Sequence, residues 1–203
     1  MIIGVTGGSG TGKSSLAALL GYEVIDADRV YHELLAENKD LKAELIGCFG
    51  TCERKEMASI VFSDKSKLEE LNSITFKYIL AAIESRIPQK GDVVIDASVL
   101  FELGLGEKCD FTIAVLARND LRINRIMERD GISREKAEMR VNAQKPDEYF
   151  IKSADHVVHN NGEDMAKTAR KLKDMISEQI AVKFKEMKGD SDGQSQGNIK
   201  NSM

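Results

Sequence analysis

The sequence predicts an α/β fold, a doubly wound parallel sheet of about five strands with a helical insertion and an Arg-rich helical lid. Three observations predict it. Short apolar runs rich in Val and Ile alternate with helix-period stretches. Some sixty residues in the middle carry no convincing strand. Arginines crowd the segment after the fourth apolar run. Strands that alternate with helices require crossover connections, and so a parallel sheet covered on both faces.

The first strand is read at 2–6, an apolar run that ends in glycines. Runs at 22–25, 92–95 and 111–116 read the same way, and a weaker fifth lies at 155–158, stopped by Asn160-Asn161-Gly162. Between the second and third strands, over about 30–88, Leu34, Leu41, Leu45, Leu68, Leu71, Ile74, Ile79 and Ile83 recur at helical spacing, which marks the insertion. The lid is placed over about 118–150. A last helix is expected over 164–188, with acids at its start and lysines towards its end, as the helix dipole favours. Beyond it the composition turns to Gly, Ser, Asn, Asp and Gln, so 189–203 reads as a disordered tail after a single domain of 1–188.

Composition narrows the function. The 203 residues include 29 basic and 33 acidic side chains, for a net charge of −4, which argues against nucleic acid or an anionic membrane as partner. Apolar runs such as Ile113 to Ala117 fall far short of the ~20 residues of a membrane span. The first residues form no basic leader, so a cytoplasmic location is expected. Cys48, Cys52 and Cys109 are odd in number and lack metal-ligand spacing, and His32, His156 and His159 lack it too; three reduced thiols are the reading.

The chemistry starts at Gly7-Gly8-Ser9-Gly10-Thr11-Gly12-Lys13-Ser14, which matches G-x-x-x-x-G-K-[ST] between a strand and a helix. Glycines let the backbone turn its N–H groups inward around phosphate, and the helix N-terminus adds positive potential. Lys13 would reach the β- and γ-phosphates of ATP, and the Ser14 hydroxyl would ligate Mg²⁺. A dinucleotide fingerprint is the rival, but Lys13 stands where its third small residue should be. A guanine switch would want Asn-Lys-x-Asp, which Asn38-Lys39-Asp40 misses by one place.

Ligands in a doubly wound sheet sit beyond the carboxyl ends of the strands. Asp26 and Asp28 follow the second strand and Asp96 the third, so all three face the loop. They suit either phosphoryl-transfer chemistry or plain helix capping. Arg118, Arg122, Arg125 and Arg129, spaced 4, 3 and 4, fall within roughly 60° on one helix face. Six of the ten arginines lie between 118 and 140. Arginine grips phosphate bidentately, so the stripe reads as a lid over the γ-phosphate, with a solvated basic face as the alternative.

These motifs, with Val24-Ile25-Asp26-Ala27-Asp28, Asp96-Ala97-Ser98-Val99-Leu100-Phe101-Glu102, Arg125 to Gly131 and Ala154 to Gly162, resemble the dephospho-CoA kinases, in order, from residue 1 to about 185. The resemblance implies a P-loop kinase fold and transfer of the ATP γ-phosphate to the ribose 3′-hydroxyl of dephospho-CoA, the final step of coenzyme A biosynthesis. It implies that Gly8, Ser9, Gly10, Thr11, Gly12, Lys13, Ser14 and Ser15 bind ATP and that Asp28 is the catalytic base. Lys13, Arg125 and Arg129 complete the catalytic set, with Asp26, Asp96, Arg54 and Phe101 on the acceptor side. The implied partners are ATP, Mg²⁺ and dephospho-CoA, handled by a monomer or small homo-oligomer. Phe76-Lys77 stands where the family usually has His-Pro, and Ala97-Ser98 where a Pro is expected after the strand-end Asp. A kinase for another nucleoside or nucleotide, or an ATP-binding paralogue without this activity, is the alternative.

Overall fold

The protein is described by a computed structural model over residues 1–62 and 64–193. Five parallel strands, β1 (Ile2–Thr6), β2 (Glu23–Asp26), β3 (Val93–Asp96), β4 (Phe111–Leu116) and β5 (His156–His159), form one sheet in the order β2-β3-β1-β4-β5. The doubly wound expectation holds, and β1 and β4 match their expected limits. β2, β3 and β5 each lie one residue later than read, because pairing extends to Asp26↔Asp96 and Leu116↔His159. That shift brings two of the strand-end acids into the ladder itself.

Helices cover both faces. α1 (Lys13–Leu19) and α9 (Met165–Gly193) pack on one side, where Leu16, Leu20, Leu172 and Ile176 meet Ile3, Val5, Ile113 and Val115. α2 (Ala27–Glu37) and α5 (Lys65–Arg86) cover the other side, where Val30, Ile79 and Ile83 meet Val93 and Ile95. Alternate strand residues point to alternate faces, so Val94 joins the first cluster while its neighbours join the second. β4 is buried at all six positions, the expected signature of a central parallel strand.

The insertion comprises α2, α3 (Lys39–Phe49), α4 (Arg54–Phe62) and α5. Asn38 caps α3 by accepting from the Leu41 amide, and Asp64 caps α5 by accepting from Ser66 and Lys67. Leu41, Leu45, Met57 and Ile74 form its own small core. The variant pair finds local uses: Phe76 packs against the core under β3. Lys77 pairs with Glu44 at 2.7 Å, an acid that also accepts from the Tyr78 hydroxyl.

Beyond β4 come α6 (Asn119–Asp130), α7 (Arg134–Asn142) and α8 (Asp147–Ser153), with Ile123, Ile126, Ala137 and Val141 joining the first two. α9 begins at an Asp164 cap and runs to Gly193, past the expected end at 188; no proline interrupts its backbone bonding there. The rest of the expected tail, 194–203, lies outside the described residues. Among the described residues no helix is long and apolar enough to cross a membrane.

Candidate active site

Chain order explains where the site forms. The connection leaving β1 turns towards β2, and that leaving β4 turns towards β5, although β1 and β4 are neighbours. The crevice opens where adjacent connections diverge. The glycine-rich loop fills one side of it and α6 the other, so the arginine stripe faces the loop for topological reasons.

A cavity of about 430 Å³ lies there, lined by Gly10, Gly12, Lys13, Ser14, Ser15, Arg125, Glu128 and Arg129. Loop and lid arginines therefore converge, as expected. Thr11 is fully buried and donates its hydroxyl to the Gly8 carbonyl, which closes the loop from within. Asp96 sits beneath, buried, on the strand next to β1. Burial pushes its carboxyl pKa up, while Lys13 and a hydrogen bond from Ser14 pull it down. One of its carboxylate oxygens is buried with no protein partner.

The three strand-end acids separate by role. Asp26 caps α2, accepting at one oxygen from the Asp28 amide at 2.9 Å and the Arg29 amide at 3.1 Å. The capping alternative thus describes Asp26. Asp28, on the first turn of α2, is exposed and close enough to Asp96 and Arg129 to act on both charges. Of the three, Asp96 alone is buried, against Lys13 and Ser14 of the cavity lining.

The four arginines of the stripe differ sharply. Arg118 precedes α6 and faces Asp120 on the surface. Arg125 donates to the carbonyls of Gly10 and Asn160, each at 3.1 Å, and so grips the loop while lining the cavity. Arg129 binds both oxygens of Asp130, which Arg140 also contacts, and this pairing holds the Asp130 carboxyl below its ordinary pKa. Arg122 corrects the lid picture: it is 4% exposed and turned onto the loop backbone at Ser9, on the far side from solvent.

None of the four expected acceptor-side residues, Asp26, Asp96, Arg54 and Phe101, lines the cavity, and neither does Asp28. Arg54 opens α4 and its guanidinium contacts the His32 ring on α2. Phe101 stacks edge-on against Tyr149 at 6.3 Å and lines a separate cavity with Asp110, Thr112 and Asp155, at the amino ends of β4 and β5. The loop after β3 runs back down to reach β4, and it carries Phe101 with it.

Sequence reading missed two residues of the site. Buried Asn160 donates to the Thr11 carbonyl at 2.9 Å, and Gln144 accepts from the Ser9 amide at 2.8 Å. Asn160 was visible as part of a turn and of the Ala154–Gly162 segment, without a site role, and Gln144 carried no local signal.

The residues present fit Mg²⁺. A serine hydroxyl and a carboxylate with an unused oxygen stand side by side, the hard oxygen donors that this ion takes in small number alongside phosphates and water. Among the described residues no cluster of three or more His, Cys, Asp or Glu could hold a metal by itself.

Comparison with known proteins agrees with this geometry. The family model described as dephospho-CoA kinase matches residues 1–166. A dephospho-CoA kinase of Fusobacterium nucleatum is 37% identical, covering 87% of this chain and 98% of its own. One from Corynebacterium glutamicum is 34% identical over 84% and 94%. A Thermus thermophilus crystal structure superposes with a TM-score of 0.71 at 32% identity, covering 88% and 97%. A shikimate kinase from Bacteroides thetaiotaomicron shares the fold alone, at 14% identity and a TM-score of 0.57, covering 87% and 98%. With a phosphate loop, a buried Asp beside its serine and arginines across one cavity, and with relatives matched nearly end to end, the chain belongs to the dephospho-CoA kinase family.

Proposed function

We propose that the chain transfers the γ-phosphate of ATP to the ribose 3′-hydroxyl of dephospho-CoA, completing coenzyme A. The observation that carries this is the single cavity in which Lys13, Ser14, Arg125 and Arg129 meet, in a chain similar to dephospho-CoA kinases over most of its length. Net charge, −4 overall, favours a local phosphate site over a general polyanion surface. The same reading has it work in the cytoplasm as a monomer or small homo-oligomer, with no nucleic acid or membrane partner.

In this reading the loop from Gly8 to Ser15 receives the ATP phosphates, and Lys13 neutralises charge between β and γ. Ser14 and Asp96 would hold Mg²⁺, which would supply further charge neutralisation. Asp28 accepts the proton of the 3′-hydroxyl as that oxygen attacks the γ-phosphorus in line. Arg125 and Arg129 stabilise the transferring group. Arg129 reaches it only by leaving or sharing Asp130, since both carboxylate oxygens now engage its guanidinium. Asp26 fixes the start of α2 and through it the place of Asp28. The insertion, with Arg54 on α4, borders the acceptor.

The test is a coupled assay with ATP and Mg²⁺, run with and without dephospho-CoA. Phosphate consumption confined to the sample with dephospho-CoA, yielding coenzyme A, is the expected result. Turnover of another nucleoside or nucleotide instead, or ATP binding without turnover, would overturn it. Asp28→Asn should keep ATP binding and lower turnover on the order of 10³-fold or more; near-full turnover would remove Asp28 as the base.

A further inference from the structure

Besides the contacts of Arg125 and Asn160, the phosphate loop is gripped on both sides of one residue, Ser9. The Ser9 amide donates to Gln144 Oε1 at 2.8 Å, and the Ser9 carbonyl accepts from Arg122 Nε at 3.1 Å. Arg122 Nη2 donates to the same Gln144 oxygen at 2.8 Å, which closes a triangle of three hydrogen bonds. Arg122 Nη1 is held by Asn119 Oδ1 at 3.1 Å, and the Asp147 carboxylate lies 3.9 Å away. A buried guanidinium whose closest partners are neutral oxygens is fixed by geometry more than by charge pairing.

Gly8 is shaped to this triangle. A Cβ there would lie 2.3 Å from Arg122 Nη2 and 2.9 Å from Gln144 Oε1, and Gly8 does not have a positive φ. Its small size therefore serves close approach and not a turn. Gln144 itself lies just beyond α7, in the connection to α8, so the triangle joins the loop to the end of the lid segment.

We infer that Gln144, acting with Arg122, is a positioning residue for the phosphate loop: one amide oxygen binds Ser9 and Arg122 together and sets the loop shape that ATP meets. Neither side chain appears in the lining of the phosphate cavity. The effect is pre-organisation. With the amide oxygen removed, Ser9 N–H and Arg122 Nη2 lose their acceptor, and the loop must be ordered when nucleotide binds. That cost falls equally on ground and transition states, so it raises the ATP KM and leaves kcat nearly unchanged.

This inference rests on the loop being the ATP site, so ADP titration calorimetry with Mg²⁺ on the unaltered full chain comes first. ADP failing to bind would overturn that reading itself. Given binding, Gln144→Leu should weaken ADP affinity and raise the ATP KM about tenfold, the scale of one or two lost hydrogen bonds. The dephospho-CoA KM should stay within about twofold. Gln144→Glu keeps the shared acceptor and should return the ATP KM to within about threefold of the unaltered chain. Arg122→Lys keeps the charge but loses the planar fork that donates from Nε to Ser9 and from Nη2 to Gln144, and should behave like Gln144→Leu; it also serves if that variant fails to fold. Unaltered ADP affinity in Gln144→Leu or Arg122→Lys, or a folded Gln144→Glu as weak as the leucine variant, would overturn the inference. So would an equal rise in both KM values.

Discussion

The phosphate-loop end and the helical insertion are held by different forces. Around the loop, polar groups dominate: buried Arg122 and Asn160 and half-buried Gln144 and Arg125 reach it from 113 or more residues away and bond its backbone. The outer part of the insertion has its own core of four buried apolar side chains, with ion pairs such as Lys77–Glu44 on its surface. Hydrogen-bonded networks have narrow geometry and fix one shape. A small apolar core tolerates sliding and local opening at lower cost. A phosphate group has one shape and a fixed charge pattern, whereas an acceptor the size of dephospho-CoA must be admitted and released. Under the proposed function, with the insertion bordering the acceptor, the contrast in cohesion follows that division.

The largest expected effect that sharpens the comparison is at Leu45, which is fully buried in the insertion core. Leu45→Ala should cost about 2–5 kcal/mol locally by cavity formation and raise the dephospho-CoA KM several-fold. ADP affinity should not change. A parallel loss of ADP affinity in calorimetry would mean that the two regions stand or fall together.

The thiols give a reading of intermediate size. Cys109 is half-buried beside the sheet, donates to the Leu105 carbonyl, and has its pKa pushed up to about 12 by burial, with Asp110 and Asp155 adding to the rise. Cys48 is exposed on α3, and Cys52 packs against the insertion core. At pH 8 a thiol reagent should label Cys48 at once, Cys52 as the insertion opens, and Cys109 only on global unfolding. Cys52 and Cys109 labelled at equal rates would erase the difference in local stability. The smallest effect belongs to Lys77→Met. It removes a surface ion pair and should shift the melting midpoint at the edge of detection, with the dephospho-CoA KM unchanged. A large KM change there would give Lys77 a binding role that its pairing with Glu44 does not suggest.

Much of this was legible in the sequence because it is local. The loop motif, the strand it follows and the helix it starts lie within twenty residues, and the apolar runs fix the sheet to within one residue. The arginine stripe over the loop was legible from its spacing and its place after the fourth strand, and Arg125 and Arg129 within it from the family resemblance. What could not be read is long-range and polar. Nothing near residue 144 distinguishes Gln144 from a surface glutamine, and its partner amide is 135 positions away. Helical spacing put Arg122 on the same face as Arg125, but a wedge of roughly 60° cannot tell a side chain that enters the cavity from one that passes behind the loop. Asp26 shows the reverse case: capping and ligand binding predict the same residue type at a helix start, and the backbone amides show the cap at one of its two oxygens.

A Cβ on Gly10 would come within 2.6 Å of the Arg122 carbonyl oxygen, as one on Gly8 would meet that residue's guanidinium. Both glycines are sized to the helix that leaves β4, a hundred residues downstream. The eight-letter motif is therefore not a portable cassette. Spliced into a foreign scaffold, residues 7–14 would carry the reach of Lys13 and Ser14 but none of the walls that mould them. A transplant meant to seize phosphate would have to bring the opposing helix and its glutamine as well.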